Sequence, residues 1–418
     1  MNSVNRIEVC AGWLENDPVI GYCYIDRARG SEVISFEFQK QWLIQHPGLL
    51  IDPELLNMTG RQYPVKGKYC FGFLSDSAPD RWGRKLMERR EMIDAVHEKR
   101  TKHKLLESDY ILGVHDRGRI GGLRFRNSAG AFLSDRADLE APPMTELRKL
   151  EHASLELEEN RGNEEEWVRT LIAPGSSLGG ARPKANVMDA DGSIWIAKFP
   201  SRRDEINTGA WEMVAHDLAV KCGLNVPEAK IMNVSDHGSI FLSKRFDRIP
   251  SETEMKRVHF ASAMTMLGEQ DGSGEQHSYL ELLSFLEENS GSAEKDCKEL
   301  WKRIVFNICI TNADDHLRNH GFLLQDNMWR LSPAYDMNPA YDQSQLSLAV
   351  NFEDPSGNLD NAIQVADYFR FGKEEAKMEV QIIRTTINKQ WRYLAKKYGV
   401  PKTEQDLMAP AFQASHTE

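Results

Sequence analysis

Apolar residues recur with helical spacing at Trp301, Ile304, Val305, Ile308 and Cys309, the stripe of a buried helix over 297–311. The helix should stop near Thr311, because Asn312, Asp314 and Asp315 bond their own backbone more readily in a turn. A second stripe, Trp211, Val214, Leu218 and Cys222, predicts a helix over 207–222 with Gly223 just past its end. Further helices are expected over 279–288 and 373–398. Runs with strand character lie at 19–25 and 33–38, with Arg29-Gly30 as the turn between them. Residues 185–188 and 193–199 predict a hairpin around 189–192, and 323–324 with 328–331 predict another around Asp326-Asn327. A strand near 239–248 runs into a connecting segment. Helical pattern also covers 78–104, followed by apolar runs at 110–114 and 122–125. The polar stretch 134–143 ends in two prolines and reads as a linker. The helix after it carries Glu151, Glu156, Glu158 and Glu159, expected on a solvated face. Between 344 and 361 the pattern is loop with one apolar run at 346–350.

At 418 residues the chain calls for two or three units. Boundaries are placed at 1–140, 141–250 and 251–418, an α+β part giving way to a mostly helical one. Hydrophobic residues make up 41% with nine Trp, enough for sizeable cores. Six cysteines are scattered without a C-x-x-C pair, so neither a zinc ribbon nor a disulfide framework is indicated. The first residues lack the apolar core of a signal peptide, and no apolar run approaches the ~18 residues that span a bilayer. A cytoplasmic protein with no membrane contact is therefore expected. A net charge of −11 argues against wholesale nucleic-acid binding through this chain. Arg81 to Lys104 is locally basic, but Glu88, Glu91, Asp94 and Glu98 interleave, which favours a solvated helix face over a DNA or partner contact.

Candidate chemistry concentrates after the 297–311 helix. Asp314 and Asn319 stand five apart, and Asp336 follows Asn319 by seventeen. Phosphoryl transfer needs an acid residue to orient and deprotonate a hydroxyl, and hard oxygen ligands for magnesium. An Asp-x4-Asn loop with a second Asp beyond a short hairpin meets both needs. The same residues also fit an Asp/Asn-rich turn with helix caps, or a metal-dependent hydrolase using His316, His320 and the aspartates. Upstream, Gly175 to Lys184 carries paired glycines, hydroxyls, Arg182 and Lys184; it suits an anion-binding backbone or a flexible hairpin turn. Lys198 ends an otherwise apolar strand. It is either an edge lysine reaching solvent or a holder of nucleotide phosphates, with Glu212 on the 207–222 helix available to pair with it. A glycine loop and Lys–Glu pair in a β-rich part, then Asp-x4-Asn and a late Asp in a helical part, is the order of a kinase.

With these residues laid out, the chain resembles the HipA family of serine/threonine protein kinases, toxins of bacterial toxin–antitoxin pairs. The resemblance rests on Ser176-Ser177-Leu178-Gly179-Gly180-Ala181-Arg182-Pro183-Lys184, Gly223-Leu224-Asn225-Val226-Pro227, Arg245-Phe246-Asp247-Arg248, Asn312-x-Asp314-Asp315-His316-x-x-Asn319 and Leu331-Ser332-Pro333-x-Tyr335-Asp336. Residues 73–83 and 118–125 match the family's N-terminal region more loosely. The resemblance implies a protein-kinase-like, two-lobed α+β fold with an extra N-terminal subdomain and a mostly α-helical C-terminal lobe. It implies Asp314 as catalytic base with His316 in the catalytic loop, and Asn319 and Asp336 as magnesium ligands. Lys198, Lys184 and Ser177 would meet ATP phosphates, with Lys244 and Phe246 near adenine. It further implies autophosphorylation at Ser177, with neighbouring Ser176 as the other choice; the added charge would repel ATP phosphates and eject the loop. Arg182-Pro183 stands where other branches carry Gln-Glu. The implied partners are a helix-turn-helix antitoxin of HipB type, operator DNA mainly through that antitoxin, and a protein substrate such as an aminoacyl-tRNA synthetase. A small-molecule kinase shares Asp-x4-Asn. A non-catalytic, antitoxin-binding co-repressor would not need Lys198, Asp314, Asn319 and Asp336 together.

Overall fold

The computed structural model describes residues 6–28, 30–135, 141–159, 164–172, 182–251, 255–270, 272, 276–343, 345–352, 354 and 356–415. The chain forms two compact units. One comprises residues 1–202, 245–261 and 268–270; the other comprises 203–244, 262–267 and 271–418.

The first unit is built on a five-stranded antiparallel sheet in the order Arg61–Gln62, Ser31–Phe38, Val19–Ala28, Arg6–Ala11, Leu123–Arg126. Ile34, Phe36 and Phe38 alternate onto the core face, as a half-buried strand requires. Gly21 is forced by packing: a Cβ there would lie 2.2 Å from the Glu37 carbonyl and 2.5 Å from the Phe36 ring. The strand Arg6–Ala11 was not foreseen, although Ile7 and Val9 alternate with Arg6 and Glu8 in the period of two. The apolar run 110–114 lies on a short helix, Glu107–Gly113, whose first turn is closed by Asp109 accepting from Leu106 N–H at 2.8 Å.

Helix Arg81–His97 pairs Arg90 with Asp94 at i,i+4, while two of its other cations reach across the unit. Arg84 forks onto Glu107, and Arg89 donates to the Leu157 carbonyl at 2.9 Å. The acidic helix Leu147–Glu159 departs further from a solvated face: Glu151 is only 1% exposed. Glu158 accepts from the Ser201 hydroxyl at 2.7 Å and Arg202 N–H at 3.0 Å, and Glu159 pairs with Arg202 at 3.1 Å. The carboxylates therefore hold the segment that follows the strand Ile194–Lys198, a pairing that local sequence pattern does not report.

A buried clasp uses the Arg245-Phe246-Asp247-Arg248 motif. Asp247 accepts from Arg245 Nε at 2.8 Å, Arg245 Nη2 at 2.6 Å, Arg248 Nη1 at 2.8 Å and Gly121 N–H at 2.7 Å. The two guanidiniums donate to the carbonyls of Gly118, Arg119 and Gly121, so the loop before the last sheet strand is gripped through its backbone. Burial alone would raise the Asp247 carboxyl; Arg245 and Arg248 more than offset it and hold it down at about 2.

In the second unit, helix Thr208–Lys221 is capped by Asn207, which accepts from Ala210 N–H at 3.2 Å, and Gly223 follows it at φ +75°. Glu404 accepts from Asn207 N–H at 2.9 Å and from the Trp211 indole at 2.7 Å. Trp211, Trp391 and Phe412 form one aromatic cluster, the last two stacked at 4.5 Å. Helices Tyr279–Asn289, Ala293–Ile310 and Lys373–Lys397 fall where the periodicity places them. Two short helices, Leu359–Val365 and Lys402–Met408, were not foreseen, being too brief to establish a period. All six cysteines are buried thiols. No helix among the described residues is long and apolar enough to cross a membrane.

Candidate active site

Helix Ala293–Ile310 ends at Thr311, a left-handed residue at φ 49° and ψ 52°, and the chain turns at once into the polar loop. Thr311 costs some strain as a β-branched residue there. Its hydroxyl donates to the Ala411 carbonyl at 2.8 Å, which ties the turn down.

Asp314 and Asp315 are neighbours with opposite environments. Asp315 is 3% exposed. Its Oδ2 accepts from Asn307 Nδ2 at 2.8 Å, from His320 Nε2 at 2.9 Å and from the Tyr279 hydroxyl. Burial pushes its carboxyl up, but His320 and the Tyr279 hydrogen bond outweigh that and leave it below the usual carboxylate value. Burial, then the charge of Asp315, drive the Tyr279 phenol well upward. Asp315 thus joins two helices to the exit of the loop. Asp314 projects from the same loop and is exposed.

Asn319 closes the loop. Its Nδ2 donates to the Asp314 carbonyl at 2.8 Å, and its N–H bonds the His316 carbonyl at 2.8 Å. The amide orientation is set by the Asp314 bond, so the opposite atom, Asn319 Oδ1, is an acceptor; it is buried and has no hydrogen-bond partner. His316 Nδ1 is likewise buried without a partner. Such atoms are costly unless something else engages them. His320 engages Asp315 through Nε2, and its Nδ1 too is buried without a hydrogen-bond partner. Among the described residues no group of three or more His, Cys, Asp or Glu is placed to hold a metal by itself.

Asp336 is carried beside this loop by the hairpin Gly321–Gln325 and Met328–Leu331, whose Asp326-Asn327 turn has both residues at positive φ as a type I′ turn demands. The Tyr335 hydroxyl donates to the Arg318 carbonyl at 2.8 Å, and Ala340 N–H to the Thr311 carbonyl at 3.1 Å. Asp336 itself sits at φ +59°, a conformation that a non-glycine residue holds only under constraint. Asp314, His316, Asn319 and Asp336 are therefore brought together within one unit. Two residues that frame them were missed in the sequence, Asn307 and Asn338, while Asn312 and Asp315 were read there as turn and motif residues without these partners. Asn307 did carry a signal, as a polar residue set between Phe306 and Ile308 in a buried helix.

The remaining candidates lie as follows. Lys184 and Lys198 face one another in register on the hairpin Lys184–Met188 and Ile194–Lys198 of the first unit. The Lys184 ammonium is buried and pairs with Asp80 at 3.1 Å; Asp80 also caps helix Arg81–His97 through Gly83 N–H at 2.8 Å. Burial raises the Asp80 carboxyl and Lys184 opposes that rise. Phe246, in the same unit, sits 6.1 Å from the Phe260 ring. In the second unit Glu212 is buried on helix Thr208–Lys221, and Lys244 pairs with Glu228 at 3.2 Å. Ser176 and Ser177 lie outside the described residues.

Comparison with known proteins adds three findings. The model of the HipA-like C-terminal domain matches residues 176–391. Over 179 residues the chain is 27% identical to the Sinorhizobium fredii protein named "Putative kinase Y4dM", covering 39% of this chain and 42% of that one. It is 25% identical over 186 residues to a Haemophilus influenzae protein named "Putative kinase", covering 40% and 54%. The matches thus span about half the length of these relatives. Among solved structures, Shewanella oneidensis MR-1 HipA, in its complex with HipB and operator DNA, superposes with a TM-score of 0.66 at 18% identity, over 98% of this chain and 95% of that one. That likeness establishes the fold: mixed helix and strand in the HipA arrangement, with the additional N-terminal sheet included.

Proposed function

Since the chain belongs to the HipA-like family, whose C-terminal domain spans just over half of it, we propose that it is an ATP- and magnesium-dependent serine/threonine protein kinase, the toxin of a toxin–antitoxin pair. Asp314, exposed at the tip of a loop anchored by its buried neighbour, orients the attacking hydroxyl and accepts its proton. Asn319 Oδ1 and the Asp336 carboxylate are the oxygen donors for the cation, and their chemistry is that of hard ligands. Magnesium bound there supplies neutralising charge for the phosphates. Lys198 is assigned to the phosphates, Lys244 and Phe246 to the adenine, and Glu212 to an ion-pair role. Lys184, with its ammonium on Asp80, secures the downstream end of the phosphate loop.

The observation that carries this reading is Asn319: its NH2 fixes the Asp314 backbone, and its buried carbonyl oxygen is left over. The substrate is a protein hydroxyl, with a translation component such as an aminoacyl-tRNA synthetase the first to test. Phosphorylation of Ser177, or of Ser176 beside it, switches the enzyme off. The partner is a helix-turn-helix antitoxin of HipB type, and operator DNA is reached mainly through it, in keeping with the net charge of −11.

The test is phosphate incorporation from labelled ATP and magnesium into phosphatase-treated protein. Wild type should label itself, Asp314→Ala should not, and Ser177→Ala should lose most of the label. Label retained in Ser177→Ala but absent in Asp314→Ala keeps the kinase and moves the modified residue to Ser176. No incorporation and no ATP binding by wild type would overturn the kinase reading.

A further inference from the structure

Asn338 stands to Asp336 as Asn319 stands to Asp314. Asn319 Nδ2 donates to the Asp314 backbone carbonyl. Asn338 Nδ2 donates to the Asp336 backbone carbonyl at 3.4 Å and to Asp336 Oδ1 at 3.3 Å. In both residues the acceptors chosen by the NH2 group settle which end of the amide is oxygen. In both, that oxygen is buried and has no hydrogen-bond partner. An amide carbonyl withdrawn from water with nothing to accept from is unfavourable, so two of them flanking the two aspartates call for an explanation.

Asn338 is also joined to the catalytic loop. Its N–H bonds Asn312 Oδ1 at 3.4 Å, Asn312 Nδ2 donates to Asn307 Oδ1 at 3.2 Å, and Asn307 Nδ2 donates to Asp315 at 2.8 Å. One line of amides thus runs from the buried Asp315 hub to Asp336. It ends at the residue held at φ +59°. Asn338 braces that conformation from both the backbone and the carboxylate side. Its carbonyl oxygen therefore sits on a fixed frame next to the carboxylate expected to bind a cation.

We propose that Asn338 Oδ1 is a further oxygen donor of the divalent-cation site, binding the cation or one of its waters alongside Asp336 and Asn319. The proposal rests on the kinase reading and deepens it: the chain contributes two amide oxygens and one carboxylate, a hard and weakly charged donor set. Such a set suits a cation that arrives with nucleotide phosphates completing its shell. A histidine-rich site would instead suit zinc.

The experiment is a titration with Mn2+, whose free and bound forms are resolved by electron paramagnetic resonance, in the presence of a non-hydrolysable ATP analogue. The full-length chain is compared with Asn338→Leu and Asn338→Asp. Wild type should bind Mn2+ only with the nucleotide analogue. Asn338→Leu should weaken Mn2+ binding about tenfold, a loss typical for a donor or close support of a metal site. Metal-free affinity for the analogue should not change. Asn338→Asp keeps an oxygen and adds charge, so it should bind Mn2+ at least as tightly as wild type; this arm stands even where the leucine variant folds poorly. Unchanged Mn2+ affinity in Asn338→Leu, or equal weakening in Asn338→Asp and Asn338→Leu, overturns the proposal and leaves Asn338 a brace for Asp336. Failure of wild type to bind Mn2+ with the analogue sinks the kinase reading, and this proposal with it.

Discussion

Asp247 accepts four hydrogen bonds from Arg245, Arg248 and Gly121, and none of the polar atoms of Arg245, Asp247 or Arg248 is left over. The loop from Asn312 to Asn319 and its continuation to Asn338 are equally polar, yet His316 Nδ1, Asn319 Oδ1, His320 Nδ1 and Asn338 Oδ1 remain unengaged. Both regions carry motifs of the family, and in sequence they look alike: short runs of charge beside apolar strands or helices. The difference lies in what the bonds are used for. A buried motif whose donors and acceptors all meet within the chain holds the chain together. One that keeps acceptors in reserve is arranged around something else. Within the loop adjacent residues differ in the same spirit, with Asp315 buried among its partners and Asp314 exposed.

The comparison breaks most visibly if the clasp is not structural. Asp247→Ala leaves two buried guanidiniums without their counter-charge, and breaking a buried pair in this way costs about 3–5 kcal/mol. Urea denaturation should show a correspondingly lower midpoint. Because the folded Asp247 carboxyl sits near 2, below its ordinary 3.8, its contribution is complete above pH ~4 and is lost as pH falls through about 2. Wild type should therefore shed stability over that range more steeply than Asp247→Asn.

Asp52, in the same unit, sharpens the point with the opposite sign. It accepts from Phe73 N–H and Glu54 N–H at 2.9 Å each, with no cation on it, and burial raises its carboxyl from 3.8 to about 6. A raised carboxyl favours the folded state below its unfolded value and loses that advantage as pH rises through the folded one. Stability should fall between pH ~4 and ~6, and Asp52→Asn should flatten that fall. A smaller effect is expected at Glu404, which satisfies the Asn207 N–H and the Trp211 indole at the start of the Glu212 helix. Glu404→Ala should cost about 1–3 kcal/mol, the range for groups left unpaired in a partly buried setting, read as a lowered thermal midpoint.

How far the sequence went follows the same line. Helix Ala293–Ile310, helix Thr208–Lys221 and both hairpins were legible because their periods are long or their turns chemically marked, as at Asp326-Asn327. Asp314, Asn319 and Asp336 were singled out by spacing, and all three fall in the second unit. What could not be read were pairings between residues far apart in the chain. Glu151 looks solvent-bound and is buried; the Lys184 ammonium pairs with Asp80, 104 positions earlier, a partner that no local pattern announces. Asn338 has no spacing rule to announce it, since its role comes from the NH2 bonds it makes in the folded chain.

The most direct test sets the two neighbouring aspartates against each other, measuring urea midpoint and phosphate transfer from ATP on the same preparations. Asp314→Asn should leave the midpoint within about 0.5 kcal/mol of wild type and lower transfer by about 10²–10⁴-fold. Asp315→Asn should lower the stability read from that midpoint by about 1–3 kcal/mol, since the shared acceptor of Asn307, His320 and Tyr279 loses its charge and the new NH2 has no acceptor waiting for it. A destabilised Asp314→Asn that still transfers phosphate, beside a fully stable Asp315→Asn, would contradict the account.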